Sequence, residues 1–279
     1  MKLWYTFCDM LPWEMLHWDF MKNAFLAIVL MAPLFGLTST MIVTGKMSFF
    51  SDALGHSAFT GIAVGAICGI AVPTYAAVIF SLIFSMLFSF VRNRSNQAAD
   101  TLIGVFSSTA VAIGIFVATL DGGSFTKYNK YLIGDILSVT PSEIAMLVIV
   151  LLAVLVLWVV LSSKLTLCAV HPQLASSRGI PIHLTQTIFT MAIAVIVTLA
   201  ISWVGLLILN SLLVLPAASA RNISKNLQQY HGLSVLIALL SGISGLCISY
   251  YLGASAGACI SLVLAAVFVI CFLFRKKMM

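Results

Sequence analysis

The chain has 279 residues, of which 62% are hydrophobic and only 8% charged, with a mean hydropathy of +1.14. A soluble chain of this length carries far more charge, so the composition excludes an ordinary water-soluble globular protein and points to an all-α, polytopic membrane helical bundle embedded in lipid. The formal net charge of +6 is then no argument for nucleic acid, and none is expected as a partner.

In chain order, Pro12, Glu14 and Asp19 precede any long apolar run, and no removable signal peptide is expected. Polar breaks then separate apolar spans near 20–44, 52–70, 73–91, 101–120, 142–163, 184–203, 205–220, 232–250 and 254–274. These make eight or nine crossings with broken or re-entrant pieces, within a single transmembrane domain over residues 1–279. The count turns on 205–220, which is about 24 Å long as a helix and reads either as a span or as a half-span or re-entrant piece. Placing Arg275-Lys276-Lys277 in the cytoplasm puts ten of the fourteen Lys and Arg residues on that side. The expected topology is a multi-pass protein of the inner (plasma) membrane, N-terminus outside and C-terminus cytoplasmic. Its outer face is mildly acidic, which favours cations near the mouth.

The second span opens with Ser51-Asp52-Ala53-Leu54-Gly55-His56. A helix there sets a carboxylate and an imidazole on one face, since residues four apart differ by about 40° at 100° per residue. Gly61, Gly65 and Gly69 fall on the opposite side and suit close helix packing. Ionisable groups in a membrane are costly unless paired or lining a pathway, so the pair reads as a cation perch. The competing reading makes Asp52 a helix cap and His56 an interfacial histidine. Asp oxygen with His nitrogen suits a divalent first-row ion such as Zn²⁺ or Mn²⁺. Asn210, Asp121, Asp135 and Glu143 are candidates to complete the shell, alongside water or a carbonyl.

Between Lys164 and His183, Pro172 through Arg178 predicts a short helix ended by Gly179 before Pro181. Such a helix either docks in a partner's groove or is an ordinary solvated linker. Gly242-Ile-Ser-Gly245 and Gly253-Ala-Ser-Ala-Gly257 have the form of serine-hydrolase motifs, but no His, Asp or Glu follows His231 to act as base or acid. Nor is there a nucleotide-binding G-x-x-x-x-G-K-[ST] loop. The chain is expected not to be an enzyme, and any motor must lie in another subunit. His17, His171, His183 and His231 read as interfacial, and the six scattered cysteines as small core residues.

Three ordered segments resemble the membrane permease subunit of bacterial zinc, manganese and iron ABC importers, the ZnuB-like zinc permease family. They are Met47-Ser-Phe-Phe-Ser-Asp-Ala-Leu-Gly-His-Ser57, Tyr131 to Pro141, and Val204 to Arg221 with its Pro216-Ala-Ala-Ser-Ala-Arg221 ending. The resemblance implies that Asp52 and His56 contact the metal and that Pro216 kinks a gating helix. It also implies that the loop carrying His171, Pro172, Gln173, Ala175 and Gly179 couples to an ATPase. His171 and Gln173 depart from the acidic or small residues usual there. The function so implied is ATP-driven import of a divalent transition metal, most readily zinc, with manganese or iron the alternatives. A self-sufficient secondary metal transporter or channel is the other class weighed. Implied partners are a cytoplasmic ABC ATPase subunit, an extracytoplasmic metal-binding protein, a second copy of the permease as a homodimer, and membrane lipid. No permanently bound cofactor is expected, the cation being cargo.

Overall fold

The computed structural model describes residues 2–9, 13–70, 73–95, 97–120 and 136–275. Among these, the regular elements are all helices: α1 (Lys2–Asp9), α2 (Asp19–Thr44), α3 (Phe50–Ile67), α4 (Pro73–Arg94), α5 (Ala99–Leu120), α6 (Pro141–Val170), α7 (Pro172–Ser177), α8 (Ile182–Ile223), α9 (Leu227–Leu252) and α10 (Ala256–Arg275). Tight 3-10 turns occupy Glu14–His17 and Ile136–Ser138.

Among the described residues, eight stretches are long and apolar enough to cross a bilayer, and α8 supplies two of them, Ile182–Ile201 and Trp203–Ile223. Their outward faces are greasy. Ile79, Ile83 and Phe90 on α4, Leu152, Val156 and Val159 on α6, and Leu262, Val269 and Leu273 on α10 are all exposed, an arrangement suited to lipid and not to water. The chain is a multi-pass membrane protein. Residues 206–220 are helical, after a break at Gly205, within the 21-residue stretch Trp203–Ile223. The element that falls outside the eight is instead α3, whose apolarity is diluted by Asp52, His56, Ser51, Ser57 and Thr60.

The helices group into two compact units. One comprises Met1–Thr40, Asp135–Trp158 and Ser211–Met279, the other Met41–Gly134 and Val159–Asn210.

In the second unit α3 lies antiparallel to α4 along its whole length. Phe50 meets Phe88 with ring centroids 4.6 Å apart, Ser57 Oγ lies 3.1 Å from Ser81 Oγ, and Gly61 and Gly65 rest on Ala77 and Ala76. A Cβ at Gly61 would sit 2.6 Å from the Ala77 Cα, and one at Gly65 2.6 Å from the Ala76 Cβ. Lipid tails are as apolar as the side chains, so helices associate here through such close van der Waals contact and buried hydrogen bonds. The third glycine of the expected seam does something else: Gly69, at φ 70°, ends the helix. On the other flank of α3, the Thr60 hydroxyl reaches the carbonyl of Ala110 on α5 at 2.6 Å, and Phe59, Ile62, Ala63, Ala77 and Ala118 form the core.

In the first unit, Gly245 lets α9 approach the Ile260 Cα of α10 closely, a Cβ there falling 2.6 Å from it, and Gly242 abuts Ile28. The Ser244 hydroxyl between them donates to its own helix at the Leu240 carbonyl, 2.7 Å away. The Gly-Ile-Ser-Gly motif is therefore a packing seam. His231, expected in a connection, lies inside α9, its Nδ1 2.7 Å from the Thr40 hydroxyl and its ring edge-on to Trp158.

Candidate metal-contact site

The site begins with a tight reversal. After α2 ends at Thr44, Gly45 and Met47 return N–H bonds to Met41 and Ile42, and Lys46 adopts φ 53°. α3 therefore starts at Phe50 and carries Asp52 in its first turn, where the positive end of the helix dipole favours a carboxylate. The capping position is held by Phe49, which makes no side-chain cap. Asp52 is not a cap: its oxygens turn sideways, to two other side chains.

Asp52 Oδ2 lies 3.6 Å from His56 Nε2, one helical turn on. Asp52 Oδ1 accepts a hydrogen bond of 2.8 Å from Asn210 Nδ2. The carboxylate and imidazole keep 46% and 30% of their side-chain surface accessible, so each retains a face for a ligand. The amide oxygen of Asn210, by contrast, is buried and has no hydrogen-bond partner.

Two glycines make this meeting sterically possible. Gly205, at φ 78° and ψ 164°, breaks the helical path of α8 in a backbone region that only glycine occupies readily. Gly55 lies beneath the Leu206 side chain, whose end would have to shift to admit a Cβ there. From Leu206 on Gly55 to Asn210 on Asp52, the segment after the break runs along α3 toward its N-terminus.

The other sequence candidates separate cleanly. Glu143 lies in a reciprocal capping box: its Oε2 accepts from the Thr140 N–H and hydroxyl, both at 2.8 Å, at the start of α6. Its carboxylate is committed to a helix end. Asp121 and Asp135 fall outside the described residues, as do residues 131–135 of the Tyr131–Pro141 stretch. Among the described residues no cluster of three or more His, Cys, Asp or Glu forms, and those residues set one carboxylate and one imidazole at this site.

Pro172 sits at the first position of α7, and the helix closes as Ile180 N–H bonds the Ala175 carbonyl at 3.1 Å with Gly179 at φ 71°. Ala175 is its anchor, fully buried, while His171, Pro172 and Gln173 are exposed. Pro216 is buried within α8, and the next N–H, of Ala217, donates to the Ser39 hydroxyl at 3.2 Å.

Lipid-facing helices with a half-open carboxylate–imidazole pair on α3 fit a polytopic membrane transport protein. Residues 17–275 match the model of the ABC 3 transport family, and the chain belongs to that family. It is similar to the high-affinity zinc uptake system membrane protein ZnuB of Haemophilus influenzae, 28% identical over 237 residues that cover 85% of this chain and 90% of that one. It is equally similar to the manganese import system permease protein ScaB of Streptococcus parasanguinis, 28% identical with coverages of 94% and 92%. Among solved structures, PsaBC from Streptococcus pneumoniae in complex with Fab superposes with a TM-score of 0.79 at 25% identity, covering 98% of this chain and 95% of that chain.

Proposed function

We propose that the chain is the permease subunit of an ATP-driven importer in the inner (plasma) membrane, moving a divalent transition metal with zinc as the first choice. The observation that carries the reading is the Asp52–His56 pair, half-open to ligand and braced by Asn210, in a chain similar to ZnuB and ScaB. Asp52 and His56 contact the passing ion, and Asn210 fixes the carboxylate.

Two ligands are too few to hold zinc, which favours four. A homodimer in which two such pairs face each other would supply two oxygens and two nitrogens, and a site that shares its ligands between subunits releases its ion when they part. An extracytoplasmic binding protein delivers the metal. A cytoplasmic ATPase docks on α7 through His171, Pro172, Gln173 and Gly179, with buried Ala175 anchoring that loop from beneath, and its closure moves the α8 segment that carries Pro216. Manganese is the second reading, favoured by the similarity to ScaB, since a carboxylate and an imidazole serve either ion.

The test is radiolabelled uptake in cells stripped of their own zinc and manganese importers and supplied with this chain and its ATPase. Asp52→Ala and His56→Ala should each lower uptake at least tenfold while membrane abundance and ATPase association stay unchanged. Normal uptake by both variants rejects the assignment, and competition between unlabelled Zn²⁺ and Mn²⁺ ranks the cargo.

A further inference from the structure

A cavity of about 420 Å³ lies away from the metal-contact residues, between the C-terminal part of α6, the loop after α7 and the start of α8. Lys164, Arg178 and Thr185 line it, together with Val160, Leu184 and Ile188. Its chemistry is graded. On α6, Val160 stands one turn deeper than Lys164; on α8, Ile188 stands one turn beyond Leu184 and just past Thr185.

The level of this grading follows from helix length. At 1.5 Å per residue, the 30 residues of α6 extend about 45 Å, roughly 15 Å more than the hydrocarbon layer. The apolar run of α6 closes at Leu161 and gives way to Ser162-Ser163-Lys164. Lys164 therefore stands at headgroup depth and Val160 at the upper acyl chains. Val160, Leu184 and Ile188 are 52%, 57% and 44% exposed, so the apolar wall opens sideways toward lipid.

The charge at the mouth is uncompensated. No acidic residue lines the cavity, and neither Lys164 nor Arg178 forms an ion pair among the described residues. Two exposed cations above an apolar wall that opens onto acyl chains match one ligand shape, a phosphate with hydrocarbon attached.

We propose that this cavity is a binding site for an anionic phospholipid, its phosphate held by Lys164 and Arg178 and its first acyl carbons against Val160, Leu184 and Ile188. The proposal is independent of which metal, if any, the protein carries.

Native mass spectrometry of the purified chain in non-ionic detergent tests it, using phosphatidylglycerol and phosphatidylcholine of identical acyl chains as probes. Phosphatidylglycerol should be retained preferentially, and Lys164→Gln with Arg178→Gln should weaken that retention at least about tenfold. A matched variant, Arg221→Gln with Lys225→Gln, also removes two exposed cations and should retain lipid as the parent does. Both variants change exposed side chains, and an unchanged gel-filtration profile and helix content confirms that they fold.

Equal retention of the two lipids, or unchanged retention in the Lys164/Arg178 variant, overturns the proposal. Displacement of phosphatidylglycerol by millimolar inorganic phosphate would make the cavity a free-anion site and would also overturn it. So would a Lys164/Arg178 variant that binds lipid normally but loses its ATPase, since the cations would then serve a protein contact.

Discussion

Asn210 holds one oxygen of Asp52 while its own amide oxygen stays buried without a partner. An unsatisfied buried polar atom costs about 1–3 kcal/mol, so the residue is a poor choice for packing alone. Asn210→Leu keeps the shape and removes both amide groups; apparent melting temperature should hold or rise, while metal uptake falls at least tenfold through a raised apparent KM. Retained uptake with unaltered KM would assign Asn210 a purely structural role. The Asp52–His56 pair was legible in the sequence because four-residue spacing is a local property. Asn210 could be nominated as a polar residue in an apolar run but not placed, because its partner is 158 residues away. Glu143 misled for the opposite reason: Thr140-Pro-Ser-Glu143 is a local capping signature, and a search for distant ligands passed over it.

At the scale of elements, the meeting of α3 with α8 depends on backbone shape. Gly205→Ala places a Cβ in a conformation that L residues rarely adopt, at a cost of about 1–3 kcal/mol. A lower apparent melting temperature and lost uptake are expected together. Gly104→Ala is the matching control, because a Cβ at that helical position meets nothing within 4 Å and alanine is the better helix former; its stability should not fall. The short helix α7 was readable from its punctuation, proline at the first position and glycine at a left-handed end. Residues 205–220 were harder: the break between the two apolar segments was legible and falls at Gly205, but whether the second segment is a full span was not, and it proves to be a 21-residue helical stretch, Trp203–Ile223.

At the scale of the whole molecule, the membrane class was legible from apolar runs, since a bilayer sets the length each needs. The number of crossings was not, because α3 mixes site residues with span residues and length alone cannot rank it. Its antiparallel contact with α4, from Phe50 on Phe88 to Gly65 on Ala76, supports counting it as a ninth crossing beside the eight apolar stretches. Reporter fusions should then find the N-terminus outside and the C-terminus in the cytoplasm. Termini on the same face would remove α3 from the count.

The hydrogen bond between Asp52 and Asn210 joins groups that are made at different times. Ribosomes add about 5–20 residues per second, so the 158 residues that separate the two take roughly 8–32 s to make. Through that interval the carboxylate has been made and its amide partner has not yet been translated. His56, made almost at once, is the neighbour at hand to shelter the charge while the nascent chain enters the bilayer.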